Sequence, residues 1–120
     1  MAAIEATTAM QFNREPFKTW VKNGIESRAS DTIAAVKRFG QMCEVGAALP
    51  GVIHLVARYE GNLQQALIEN VMAGGDSAAR GMITGMLLGA FHGFAAIPES
   101  WLTELAAREK IISLLADIES

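Results

Sequence analysis

The sequence has few cysteines, little net charge and no stretch typical of a signal peptide, and each of these features excludes a class of protein. Its 120 residues include one cysteine, Cys43, so no disulfide can form within the chain and a reducing cytoplasm is the expected location. The net charge is −3 and no block of lysine and arginine occurs, which argues against nucleic acid as a partner. The first ten residues, MAAIEATTAM, lack the basic start and the apolar run of a signal peptide.

The one candidate for a membrane span is also short. Residues 81–97 include His92 and fall below the roughly 20 apolar residues that cross a bilayer, so we expect no membrane partner. Hydrophobic residues nevertheless make up 51% of the chain and charged residues only 19%. Because a small domain has a large surface for its volume, some of this apolar surface is expected in an interface, most simply that of a homodimer.

The chain also lacks the sustained alternation of apolar and polar residues that marks strands, whereas apolar residues recur at helical spacing. This predicts an all-α fold, a single domain over residues 1–120 that forms a compact bundle of about seven or eight short helices. Ser30 is the expected cap of a helix that Gly40 ends, and residues 49–51, Leu-Pro-Gly, are expected to interrupt the next helix. Asn62 is a further expected cap, and Pro98 fits a first helical turn.

The stretch GGDSAARGMITGMLLGAFHG, residues 74–93, predicts a helix with glycine at 81, 85, 89 and 93. Glycine costs about 1 kcal/mol relative to alanine inside a helix, so four of them need a compensating gain. Glycines four residues apart form a groove that lets another backbone approach. We therefore expect this glycine-rich helix to be central and buried nearly all round. Dimerisation of small-residue helices in a membrane and close approach of a ligand are the alternatives.

Asp76 stands where the cap of this helix belongs, and it would suit either a cap or a metal or phosphate site. A hard divalent cation needs several oxygen ligands, and Asp76 with Ser77 supplies too few. Arg80 lies one turn later on the same face. It is expected either to replace a cation through a salt bridge to Asp76 or to be solvated.

The remaining reactive side chains give no catalytic site. His54 and Arg58 are one turn apart and are expected on a solvated face. His92 is expected to be a hydrogen-bonded core residue, and Cys43 a small buried hydrophobic one. No pair of carboxylates has a spacing that suggests glycosidase acid–base chemistry.

The segment NVMAGGDSAARGMITGMLLGAFHGFAAIPESWL, residues 70–102, resembles the C-terminal signature of the ADP-ribosylglycohydrolase superfamily, which includes dinitrogenase-reductase activating glycohydrolases and crystallin J1 proteins. In that family Gly-Gly-Asp-x-Asp-Ser/Thr opens a buried small-residue helix, and a Gly-x-x-x-Ile-Pro-x-x-Trp type of ending follows. The preceding ALPGVIHLVARYEGNLQQALIENV is similar to the family's helix pair. The resemblance covers roughly residues 30–106 and leaves residues 1–29 outside.

The resemblance implies an all-helical enzyme that cleaves the glycosidic bond between ADP-ribose and an acceptor. It also implies two magnesium ions, held by an N-terminal Thr-Asp-Asp motif and by two acids and a hydroxyl of the C-terminal motif. Asp76 matches the first of these acids, but Ala78 and Ala79 stand where the second acid and the hydroxyl belong. The Thr-Asp-Asp motif is absent, and the Ser-Asp-Thr at residues 30–32 is not a version of it.

Three functions therefore stay open. The favoured one is a truncated relative without the catalytic half, inactive alone, needing no cofactor and self-associating as a dimer through the surface that the absent half would cover. The second is a hydrolase subunit that another chain completes, with magnesium bound only then and Asp76 a weak ligand. The third is a binding module for a small polar or nucleotide-like ligand. Its site would be formed by Gly74, Gly75, Asp76, Ser77 and Arg80.

Overall fold

A computed structural model describes residues 14–119 of the chain, and within that range every regular element is a helix. The all-α prediction of a compact bundle is confirmed. The α-helices are α1 (Phe17–Glu26), α2 (Thr32–Phe39), α3 (Val45–Arg58), α4 (Leu63–Met72), α5 (Ser77–His92), α6 (Glu99–Glu104) and α7 (Arg108–Glu119), with 3₁₀ turns at Ser27–Ala29 and Phe94–Ala96.

Helix α3 is the centre of the fold, since α1, α2, α4 and α5 all pack against it. Its residues from Pro50 to Val56 are buried without interruption. The expected break at residues 49–51 is wrong, because Pro50 lies inside α3. A proline within a helix costs about 3 kcal/mol, and burial of this whole segment offsets that cost. The buried apolar cluster consists of Val21, Val52, Ile53, Val56, Leu63, Ala66 and Leu88.

Helix α1 lies very close to α3 at one glycine. A Cβ atom added to Gly24 would lie 2.5 Å from Cβ of Ile53 and 2.8 Å from the carbonyl oxygen of Pro50. No side chain fits in that space, so the absence of one at Gly24 sets the distance between the two helices.

The helix caps follow local chemistry. The side chain of Asn62 accepts a hydrogen bond from the amide of Gln65 at 3.0 Å, which confirms the expected cap of α4. Helix α2 ends before Gly40 as expected, but its cap is Asp31 instead of Ser30. Oδ2 of Asp31 accepts from the amide of Ala34 at 3.0 Å, and this places the carboxylate at the positive end of the helix dipole.

The glycine-rich helix is α5, and the expectation that it is central and buried nearly all round is wrong within this chain. Only Arg80, Thr84 and Leu88 are buried on it, whereas Met82 and Met86 are largely exposed. The physical reason is that α3 and α4 pack against α5 and leave its opposite side uncovered.

The last two helices lie outside the core, because none of residues 99–119 is buried. Helix α7 exposes five large apolar side chains: Ile111, Ile112, Leu114, Leu115 and Ile118. None of the helices found between residues 14 and 119 has both the length and the apolar character that a membrane span requires.

Candidate functional site

The turn between α4 and α5 presents Asp76 at the start of α5. Gly74 and Gly75 have φ angles of 73° and 68°, a left-handed backbone that favours glycine, and they bring the chain directly into the next helix. Oδ1 of Asp76 accepts a hydrogen bond from the amide of Ala79 at 3.1 Å. The expected helix cap is therefore confirmed, and one carboxylate oxygen already has a backbone partner.

Gln41, from the segment between α2 and α3, covers this turn. Its carbonyl oxygen accepts from the amide of Asp76 at 2.7 Å, and its side-chain amide donates to the carbonyl of Ala73 at 2.8 Å. A Cβ atom on Gly75 would overlap both the Gln41 side chain and its carbonyl. Gln41 was not among the predicted site residues, since nothing in the local sequence links it to a turn more than 30 residues later.

Arg80 lies beneath the same turn, and its side chain is completely buried. Its Nε donates to Oδ1 of Asn70 at 3.0 Å, and its Nη2 donates to the backbone carbonyls of Asn70 and Gly74. Carbonyls at the end of a helix have no partner within it, and a guanidinium offers several donors in one plane. Arg80 forms these bonds in place of an ion pair with Asp76, so both the salt bridge and the solvated side chain were wrong expectations.

Arg80 is nevertheless close enough to Asp76 for the carboxylate to affect its guanidinium. Burial lowers the pKa of its guanidinium below the usual value, and the nearby negative charge of Asp76 opposes that shift. The Nη1 atom of Arg80 is buried without a hydrogen-bond partner. A cation thus lies next to the only carboxylate of the motif.

The magnesium pair implied by the family resemblance does not fit these residues. Ala78 and Ala79 offer no oxygen from their side chains, and one oxygen of Asp76 accepts the Ala79 amide. The guanidinium of Arg80 adds positive charge where further cations would need negative ligands. Throughout residues 14–119, no three His, Cys, Asp or Glu side chains gather into a possible metal site.

A second polar cluster lies inside the bundle around His54. The ring is fully buried instead of solvated, so that expectation was wrong. Its Nδ1 lies 2.7 Å from Oγ of Ser27, and its Nε2 lies 3.0 Å from Oγ1 of Thr32, which in turn lies 2.8 Å from the hydroxyl of Tyr59. Burial, and after it the charge of Arg58, lowers the pKa of His54 from 6.5 to about 4.

The hydrogen bonds of this cluster have only one consistent assignment of donors and acceptors. Oγ of Ser27 donates to the carbonyl of Gly24 at 2.7 Å, so it must accept from Nδ1–H of His54. Nε2 of the neutral ring then accepts from Thr32, and Oγ1 of Thr32 accepts from the hydroxyl of Tyr59. Every donor has one acceptor when His54 is neutral and carries its hydrogen on Nδ1.

The other expectations have mixed outcomes. Arg58 is exposed as expected and donates to the carbonyl of Arg28 at 2.7 Å. Nε2 of His92 contacts the carbonyl of Glu60 and the ring is partly buried, which agrees with a hydrogen-bonded residue at the edge of the core. Cys43 is exposed, so the prediction of a buried thiol is wrong; it belongs to the bend between α2 and α3, where no helix covers it.

Of three comparisons with known proteins, one found a match, and it covers more of the chain than the resemblance described above. A search of curated proteins found no match, and a search of solved structures likewise found none. A family model described as ADP-ribosylglycohydrolase matches residues 2–120, so it includes residues 2–29 and 107–120, which the resemblance had left out. The chain therefore belongs to the ADP-ribosylglycohydrolase family.

Proposed function

We propose that this chain is a non-catalytic member of its family that acts as a self-associating helical unit. The observation that carries the proposal is the donor set at the start of α5. A lone carboxylate, Asp76, is bonded to the helix amide it caps, while Ala78 and Ala79 supply no ligands. Cation-assisted cleavage of an ADP-ribosyl bond has no ligand set in this arrangement.

The contacts around the turn support a structural role for the motif. Gln41 closes the turn from one side, and Arg80 bonds to its carbonyls from beneath. These contacts use groups that a small polar ligand would otherwise bind. They favour a scaffold over a binding module, and ligand binding by Gly74, Gly75 and their neighbours stays a prediction.

The apolar surface supports self-association. Large hydrophobic side chains are exposed on α4, α5 and α7, among them Val71, Met82, Met86 and Ile118. Soluble monomers rarely expose contiguous apolar patches larger than a few hundred Å². A second copy of the chain would remove this surface from water.

Two measurements test the proposal. The chain is incubated with an ADP-ribosylated peptide and magnesium, and we expect no release of ADP-ribose and no difference from Asp76→Asn. Release that Asp76→Asn abolishes would refute the non-catalytic role. Sedimentation velocity should show a dimer, and a monomer at every concentration would refute self-association.

Two further outcomes separate the alternatives. A thermal shift with ADP-ribose in the absence of hydrolysis, lost in Asp76→Asn, would favour a binding module instead. Hydrolysis that begins only when a chain carrying the Thr-Asp-Asp motif is added would favour a complemented enzyme.

A further inference from the structure

One side of α5 is left uncovered by the rest of the described chain. Met82 and Met86 are 61% and 64% exposed. Gly85 lies between them and Gly89 follows Met86 on the same side, because residues three and four apart share a face of a helix. From Gly81 to Phe91 the helix carries no charged side chain.

The glycines of α5 differ in what they do within the chain. A Cβ atom on Gly81 would lie 2.8 Å from Nδ2 of Asn70, whose side chain is held by bonds to Ser77 and Arg80, so this glycine leaves the room that the Asn70 amide needs. Among the described residues, a Cβ atom on Gly89 would meet nothing within 4 Å, and one on Gly85 would meet only Leu67, at 3.8 Å. Each of these two costs about 1 kcal/mol relative to alanine, and no contact among residues 14–119 explains it.

The neighbouring helix α4 extends the apolar surface. It packs against α5 and exposes Ile68, Val71 and Met72 on its outer side. We name the outer sides of the two helices the α4–α5 face; it consists of Ile68, Val71, Met72, Met82, Gly85, Met86 and Gly89.

The size of the α4–α5 face matches what a stable dimer needs. Taking roughly 150–200 Å² for a whole, fully exposed residue of this size, its five large residues expose about 500 Å². A standard interface hides about 800 Å² per partner, and homodimer interfaces are roughly 65% apolar, which also gives about 500 Å². The face therefore provides about the apolar area of one half of a homodimer.

The shape of the face suits a second copy. A twofold axis brings the same face of both copies together, so that protruding side chains of one meet the recesses of the other. We propose that two copies pair through the α4–α5 face, with Met82 and Met86 of each lying over Gly85 and Gly89 of the other. This inference rests on the proposed self-association and assigns its surface. The two α5 backbones approach closely because no Cβ separates them.

Gly89→Ala tests the surface without harming the fold. Alanine is the better helix former and its Cβ has free space, so the variant should unfold at the same or a higher temperature than the wild type when both are monomeric. In the dimer the added methyl group separates the two helices. We expect the dissociation constant from sedimentation to rise at least about tenfold.

Gly61→Ala is the matched control, because a Cβ there also meets nothing within 4 Å and Gly61 lies outside the face. It should leave the dissociation constant unchanged, whereas Met86→Glu should abolish the dimer. A wild-type dimer that neither Gly89→Ala nor Met86→Glu weakens would retain self-association and refute this surface. A wild-type chain that is monomeric at every concentration would refute self-association itself and the surface with it.

Discussion

Mild acid should destabilise the fold through one buried side chain, His54. Its pKa is about 4 in the fold, against 6.5 for an ordinary histidine. The unfolded chain therefore takes up a proton near pH 6.5, whereas the folded chain takes it up only near pH 4. The contribution of the neutral His54 ring to the free energy of unfolding is fully present above pH 6.5. It is lost as the pH falls from 6.5 to about 4, and below that His54 causes no further loss.

The size of the effect follows from the shift in pKa. One pH unit within the window corresponds to about 1.4 kcal/mol, so His54 should lower the free energy of unfolding by about 2 kcal/mol at pH 5 and about 3 kcal/mol in all. That is a large part of the stability of a small domain.

The hydrogen-bond direction gives the structural cause. Protonation adds a hydrogen to Nε2 of His54, which then points at Oγ1 of Thr32. The hydrogen of the Thr32 hydroxyl can then no longer bond to the ring. It cannot bond to Tyr59 either, because the Tyr59 hydroxyl already donates its own hydrogen to Oγ1 of Thr32. One buried donor is left without an acceptor, in addition to a charge that water cannot reach.

Urea unfolding at pH 7, 6 and 5 measures the effect, with His54→Asn as a control that cannot titrate. The wild type should lose about 2 kcal/mol more than the control between pH 7 and 5. Nitrogen NMR should show the ring neutral at pH 5.5 with its hydrogen on Nδ1. Parallel losses in the two proteins, or a ring that titrates near pH 6.5, would overturn the reasoning.

Other predictions concern α5 and its cap. Arg80→Lys should lower the free energy of unfolding by about 2 kcal/mol, because one ammonium cannot reach both Asn70 and Gly74; an unchanged urea midpoint would contradict this. Gly81→Ala should destabilise the chain by more than about 1 kcal/mol, since its Cβ crowds Asn70, although alanine is the better helix former. Calorimetric titration with magnesium should show no stoichiometric binding; tight one-to-one binding that Asp76→Asn removes would disprove the assignment of the donor set.

Local chemistry was enough to predict much of the fold. Caps such as Asn62 and Asp76 are predictable because the side chain, the turn and the first free amides lie within four residues. The cap of α2 was misplaced by one residue because Ser30 and Asp31 are both good caps, and only the backbone angles decide between them. The break expected at Pro50 did not occur because tertiary burial outweighed a local preference.

Burial of polar residues was not predictable in the same way. Arg80 and His54 are buried because partners elsewhere in the chain satisfy their hydrogen-bonding groups, and a helical pattern does not show those partners. A signal for His54 did exist, because residues 52–56, Val-Ile-His-Leu-Val, leave no polar side of a helix for the ring to occupy. For Arg80 no comparable signal stands in the sequence.

The bonds of Asn70 bear on the order in which the chain folds. Its side chain donates to the carbonyl of Ser77 and accepts from Arg80, so these contacts close loops of only seven and ten residues. Short loops lose little chain entropy on closing, whereas the contact of Ser27 with His54 must join segments 27 residues apart. The pair of helices α4 and α5 is therefore expected to assemble before the segment around Ser27 joins α3.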